Sequence, residues 1–188
     1  MKTFLVLLAL AAQSAAADPL GPAAKDIEGV YKHRFMNGVI TPGEQPGEKD
    51  TFYQAEDILE IVRHDEEHIY FRVRLNYYNG HMCSLYGMAR HEGGSFVFRE
   101  REQDSDGGDR CTLTITPSKE AVMLNDRVSP AGGASCRSHC GIRGSLSNIS
   151  MPNKLRRPIL YKDRILNSQE YKHAAEQLGT RQPEPAGK

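Results

Sequence analysis

The plainest pattern in the chain covers residues 69–77, where Ile69, Phe71, Val73, Leu75 and Tyr77 alternate with Tyr70, Arg72, Arg74 and Asn76. A period of two with one apolar side predicts a half-buried strand. Residues 64–67 before it read as a turn, and Tyr78-Asn79-Gly80 after it supplies an Asn-Gly hairpin signal. Residues 83–89 form the next predicted strand, with Cys83, Leu85, Gly87 and Ala89 on one face. Gly93-Gly94 then turns the chain into Phe96-Val97-Phe98. Residues 111–115 alternate again, with Cys111 on the apolar side, and Pro117-Ser118 turns into a short apolar run at 121–124. Upstream, residues 29–35 predict a first strand and 42–49 a Gly/Pro/Glu loop. Phe52-Tyr53 and residues 58–62 read as extended, although 55–59 also carry helix formers. A last short strand is expected at 144–149. Short strands at this spacing, separated by turn signals, predict a mainly β domain: a small antiparallel meander barrel or sandwich.

The two ends of the chain follow different patterns. Lys2, the apolar run from Phe4 to Ala12 and the small residues Ser14-Ala15-Ala16-Ala17 are the three parts of a secretory signal, predicted over residues 1–17. The apolar run is shorter than the ~20 residues a membrane-spanning helix needs. Residues 18–28 then read as a leader, 29–150 as the β domain, 151–179 as a C-terminal extension with a short helix, and 180–188 as a disordered tail. In the extension, Asn167-Ser168 can cap a helix whose Tyr171, Ala174, Ala175 and Leu178 share a face, with Gly179 at its stop.

Charge and cysteine content narrow the function classes. The 24 Lys and Arg balance the 24 Asp and Glu, giving a net charge of zero. Such a balance supplies no electrostatic footprint for nucleic acid and no polybasic patch for a membrane surface. No later run is apolar enough to span a bilayer, so the expected location is periplasmic or secreted. Four cysteines in an oxidising compartment predict two disulfides among Cys83, Cys111, Cys136 and Cys140. Sequence does not choose among the three pairings; the working expectation is Cys83 with Cys111 and Cys136 with Cys140.

The candidate chemistry lies around those cysteines. His81 and Cys83, with His139 and Cys140, hold metal-ligating side chains, but their spacing fits none of the common zinc patterns. Neither a metal nor a cofactor is expected. The run from Cys136 to Gly144 reads as a stapled loop, because three residues separate its cysteines where a thioredoxin-like pair has two. Gly141 and Gly144 are expected to take backbone angles that other residues resist. Arg143, between them, either presents its guanidinium to a carboxylate or phosphate or bonds loop carbonyls from a buried position. His81, Ser138, His139 and Arg143 are therefore the candidate binding residues. Residues 104–109 resemble part of a calcium loop but lack its closing Glu, and read as a solvated turn. No nucleophile elbow or zinc-protease motif occurs, and both thiol pairs are expected to be oxidised. The carboxylates of Glu56, Asp57 and Glu60 are the candidates for an acid–base pair, and the reading favours binding over catalysis.

Several of these motifs occur together. Gly29 and Tyr31 open the series, and Asn79-Gly80-His81-x-Cys83-x-Leu85-x-Gly87-x-Ala89 follows. Cys111-x-Leu113-x-Ile115 and Cys136-x-x-x-Cys140-Gly141-x-Arg143-Gly144 complete it. Over roughly residues 29–146 the chain resembles uncharacterised secreted proteins of Gram-negative bacteria. It is more distantly similar to periplasmic lysozyme inhibitors, although the Ser-Gly-x-x-Tyr loop of one inhibitor family is missing. The resemblance implies a small β-barrel with a protein partner, a lysozyme or another cell-wall hydrolase, acting as inhibitor or immunity protein. The alternatives are a β-barrel carrier of a small ligand and a small periplasmic hydrolase.

Overall fold

The computed structural model describes residues 27–101, 110–127 and 133–179. The expected signal peptide, most of the leader, the 104–109 turn and the C-terminal tail lie outside the described residues. Among the described residues nine strands follow one another: β1 (Gly29–Val39), β2 (Thr51–Arg63), β3 (His68–Asn76), β4 (Met82–Glu92), β5 (Ser95–Arg99), β6 (Thr112–Pro117), β7 (Ala121–Asn125), β8 (Ile149–Pro152) and β9 (Arg156–Arg157). They form one antiparallel sheet in the order β8-β7-β6-β5-β4-β3-β2-β1-β9. Its two edge strands are consecutive in the chain, joined by a single turn at Asn153–Leu155. The sheet thus curls into a nearly closed barrel, the solution that removes most of the exposed sheet edge.

Alternation along each strand decides what the barrel holds. The register sets Leu59 against Val73 and Val73 against Leu85, and one step on sets Ile61 against Phe71 and Phe71 against Gly87. These inward residues join Tyr31, Ile69, Leu75, Phe96, Leu113, Ile115 and Leu124 in one apolar cluster, each essentially closed to solvent. Side chains therefore fill the barrel, as small barrels require. Phe98 packs edge-on to Phe71 at 5.4 Å. That is possible because Gly87 lies beneath its ring: a β-carbon there would stand 2.4 Å from the Phe98 ring.

The predicted strands are present with wider bounds. Residues 52–53 and 58–62 belong to one strand, β2, and residues 55–59 stay extended because Ala55, Leu59 and Ile61 all bury inward or pair across the sheet. The Asn-Gly turn forms as expected, with φ of 60° at Asn79 and 72° at Gly80. The last strand forms later than 144–149. A turn at residues 142–143, closed by the Gly144 N–H donating to Gly141 O at 2.7 Å, leads into residues 144–146, which lie outside any strand, and pairing with β7 begins at Ile149.

Two helices, α1 (Lys162–Leu166) and α2 (Gln169–Gly179), follow the sheet. Ser168 Oγ accepts the Tyr171 backbone N–H, the expected cap. The helices lie on the outer face of β2, β3 and β4. There Val62, Tyr70, Ile165 and Ala174 form a second buried cluster with Tyr86, Met88, Tyr161 and Tyr171 around it. Polar bonds fix the angle of docking. Tyr161 donates to Glu60 Oε1 at 2.6 Å, Arg72 donates to Glu60 Oε2 at 2.6 Å, and the Tyr171 hydroxyl lies 2.7 Å from His64 Nδ1. Glu60 is buried, and these partners offset the cost of taking its charge from water.

Candidate functional site

The two disulfides are Cys83–Cys140 and Cys111–Cys136, which corrects the expected pairing. Cys83 is the second residue of β4 and Cys111 immediately precedes β6, so β5 separates them in the sheet. Two strand spacings come to ~10 Å, beyond the span of a disulfide. The loop from Ser135 onward reaches both cysteines instead. A short turn at Arg137–His139 carries the chain from one to the other, and Cys83 and Cys140 face each other as an isolated β-bridge.

That loop fills a gap in the barrel wall. β4 pairs with β5 only at Arg90, His91 and Glu92, next to the Gly93-Gly94 turn. Further from the turn the two strands diverge, and the stapled loop spans the far end of the opening. Buried Asp126 anchors it, accepting the Cys136 N–H at 3.3 Å and the Ser147 hydroxyl. Ser135 Oγ donates to Asp126 O at 2.8 Å and accepts the Thr112 N–H at 2.9 Å. The Gly141 N–H donates to Met82 O at 2.7 Å, and the Tyr77 hydroxyl donates to Ser145 O. Neither Gly141 nor Gly144 has a positive φ, so the expected role for these glycines is corrected as well. They are needed for close approach. A β-carbon at Gly144 would lie 2.7 Å from Cys83 Sγ, and one at Gly141 would lie 2.8 Å from the His81 ring.

All four candidate residues lie on or against this loop, but they face different ways. His81 packs half-buried against Gly141 at the barrel end. Arg143 is exposed and makes no hydrogen bond or ion pair with any described residue, which removes the buried, carbonyl-bonding reading. Its guanidinium lies 5.5 Å above the Tyr78 ring, a cation–π arrangement. Tyr78 in turn donates to Asp50 Oδ2 at 2.8 Å, and Asn37 donates to Tyr77 O at 2.9 Å, locking the β1–β2 and β3–β4 turns together. Ile142, beside Arg143, is 92% exposed, and Phe52 across the same end is 65% exposed. Ser138 is exposed on the short turn and makes no bond in the described structure. His139 points the other way: its Nε2 donates to Glu100 Oε1 at 3.1 Å.

Glu100 and His139 line a cleft of about 240 Å³ at the splayed seam, with Ser84, Tyr86, Phe98 and the α2 residue His173. Glu100 Oε2 is shielded from water and has no hydrogen-bond partner among the described residues, a state that costs about 1–3 kcal/mol.

The chain matches no protein-family model, no characterised protein and no solved structure. Function has to be argued from the site itself.

The metal set of His81, Cys83, His139 and Cys140 is closed, because Cys83–Cys140 is a disulfide. The groups of Glu100, Cys111 and His139 do lie within 4.8 Å of one another, but Cys111 Sγ is bonded to Cys136. The carboxylates weighed as an acid–base pair do not converge. Glu56 bonds Lys32 and Arg34 on the outer face. Asp57 faces the other way, accepts the Asn76 N–H at 2.7 Å and has its pKa raised by burial. Glu60 serves the helix contact.

Sequence reasoning missed Tyr78, Ile142 and Glu100. A lone apolar residue between glycines in a Ser-rich loop was the available signal for Ile142. Glu100 and His139 are 39 positions apart and carried no signal.

Proposed function

We propose that this protein is an exported binding domain that inhibits, or confers immunity to, a cell-wall hydrolase. The observation that supports the reading is the loop tip at residues 141–143. It is a protrusion with a fully exposed apolar side chain, Ile142, beside an uncommitted guanidinium, Arg143. Two disulfides and a set of backbone bonds hold it in place before any partner arrives. Pre-organisation of this kind lowers the entropy lost on binding, and aromatic and Arg anchors, here the exposed Phe52 and Arg143 with the half-buried Tyr78 beneath the guanidinium, are the residues that dominate protein interfaces. Glycan-cleaving enzymes carry two carboxylates in an open cleft, the acceptor a projecting Arg fits best. Two disulfides accord with the extracellular or periplasmic compartment where such enzymes act.

The test is titration of the protein against a panel of lysozymes with lysis of cell walls as the readout. The expected result is loss of lysis at stoichiometric protein for at least one enzyme, with Arg143→Glu at least tenfold weaker. Undiminished lysis by every enzyme at stoichiometric excess would remove the lysozyme reading.

A further inference from the structure

The two ends of the sheet meet at β1, and the closure there is short. β9 pairs with Val30 and Tyr31 alone, while β1 runs on to Val39. Leu155, the residue before β9, belongs to the Asn153–Leu155 turn, and no described strand takes over on that side of β1. Every second residue over 32–36 therefore turns its backbone N–H and C=O to an edge without a strand partner. Further on, side chains take the backbone donors: Gly38 N–H donates to Asn37 Oδ1 at 2.9 Å, and Ile40 N–H to Asn79 Oδ1 at 3.2 Å. Solvent reaches the open stretch. Tyr31, His33 and Phe35 share the inner face, yet Tyr31 is fully buried, Phe35 half-buried and His33 exposed. A hollow of about 520 Å³ begins where β9 stops, lined by Lys32, His33, Arg34, Glu56, Leu155 and Arg157. Neighbouring residues of a strand point to opposite faces, so a hollow touching three in a row lies against the edge itself.

The side chains along this edge set the chemistry of a partner. On the outer face Lys32 and Arg34 share the one carboxylate of Glu56, at 3.1 and 2.8 Å. Arg157, exposed and paired with Val30 on that face, has no hydrogen bond or ion pair from its side chain to any described residue. Positive charge is thus in surplus along the strip. On the inner face His33 stacks on Phe35, with ring centroids 5.5 Å apart, and stands opposite Asp57 in the register. A simple anion would meet the cations and leave the edge carbonyls unused. A second copy of β1 would bring another Lys32 and Arg34 onto the same strip. An extended peptide uses both kinds of ladder group, and carboxylates at its alternate positions complement the cations. We infer that residues 32–36 of β1 take up an extended segment of another protein, acidic on one face and apolar on the other, as an added strand of the sheet.

The experiment is an NMR titration of the whole protein with the blocked peptide acetyl-Glu-Val-Glu-Val-Glu-amide. Saturable shifts of the backbone amides at residues 32–36 are expected. Two control peptides should bind far more weakly: one with Lys in place of each Glu, and one with Pro in place of the second Val, which keeps the charges but cannot join a ladder. Arg157→Glu, a change at an exposed side chain, should weaken the acidic peptide by roughly tenfold, about 1.4 kcal/mol. Absence of shifts, equal binding of either control peptide, or undiminished binding by Arg157→Glu overturns the inference. Shifts of the same amides with protein concentration alone would assign the edge to a second copy and overturn it too. Arg143→Ala should leave peptide binding unchanged, so failure here and failure of the inhibitor reading are told apart.

Discussion

At Gly144 a β-carbon would stand 2.7 Å from Cys83 Sγ and 3.1 Å from Cys140 Cβ. The atoms it meets belong to a disulfide and have no room to retreat. Gly144→Ala should therefore destabilise the fold by about 1–3 kcal/mol, the range for overpacking, read as a lower urea midpoint; an unchanged midpoint would contradict the packing described. Tyrosines carry a second consequence. Burial pushes the Tyr31 and Tyr161 hydroxyls from 10.0 up to about 12, and raises Tyr70 as well. A pKa raised in the folded state means that the folded chain holds protons the unfolded chain releases. Stability is then full below pH 10 and is lost as the pH rises towards 12. Urea midpoints should fall across that window, with tyrosinate absorbance appearing together with unfolding; a flat profile would contradict these burials. Which residues face inward was legible from alternation alone, because one sheet face is buried along every strand. The Glu100–His139 contact was not legible, since it depends on a loop crossing a gap between strands.

The helix α2 was readable as a helix from its Ser168 cap and the spacing of Tyr171, Ala174 and Leu178. Where it docks was not, because its partners Val62 and Tyr70 alternate with the residues that fill the barrel. Tyr70 in particular reads as the polar side of β3, yet it is fully buried beneath Tyr171 at 5.1 Å. Ala174 sits at the centre of this contact. Ala174→Asp puts an unpaired charge there, and should raise hydrogen exchange of the α2 amides by at least tenfold while β3 stays protected. Equal protection of α2 in the variant would show that the helix is not held by this face. The disulfide pairing belongs to the same scale. It follows from β5 lying between Cys83 and Cys111, a fact of strand order that cysteine spacing does not carry.

The whole molecule is a filled barrel with one opened seam, and the stapled loop is what closes it. The chain's zero net charge and even cysteine count pointed to a neutral, disulfide-bonded β domain, and that outline holds. The bridges close loops of 57 and 25 residues, worth roughly 4 and 3.5 kcal/mol if they act by restricting the unfolded chain. Holding the loop also fixes the direction in which Ile142 and Arg143 project, and that links the fold to the proposed role. The most direct measurement places a photo-crosslinking amino acid at position 142 or at position 160 and irradiates each protein with each lysozyme of the titration panel. Ile142 and Leu160 are matched, at 92% and 94% exposure, but only the first lies on the stapled loop. A covalent adduct from position 142 and none from position 160 is predicted. An adduct from position 160 alone, or equal yields from both, would contradict binding through the loop.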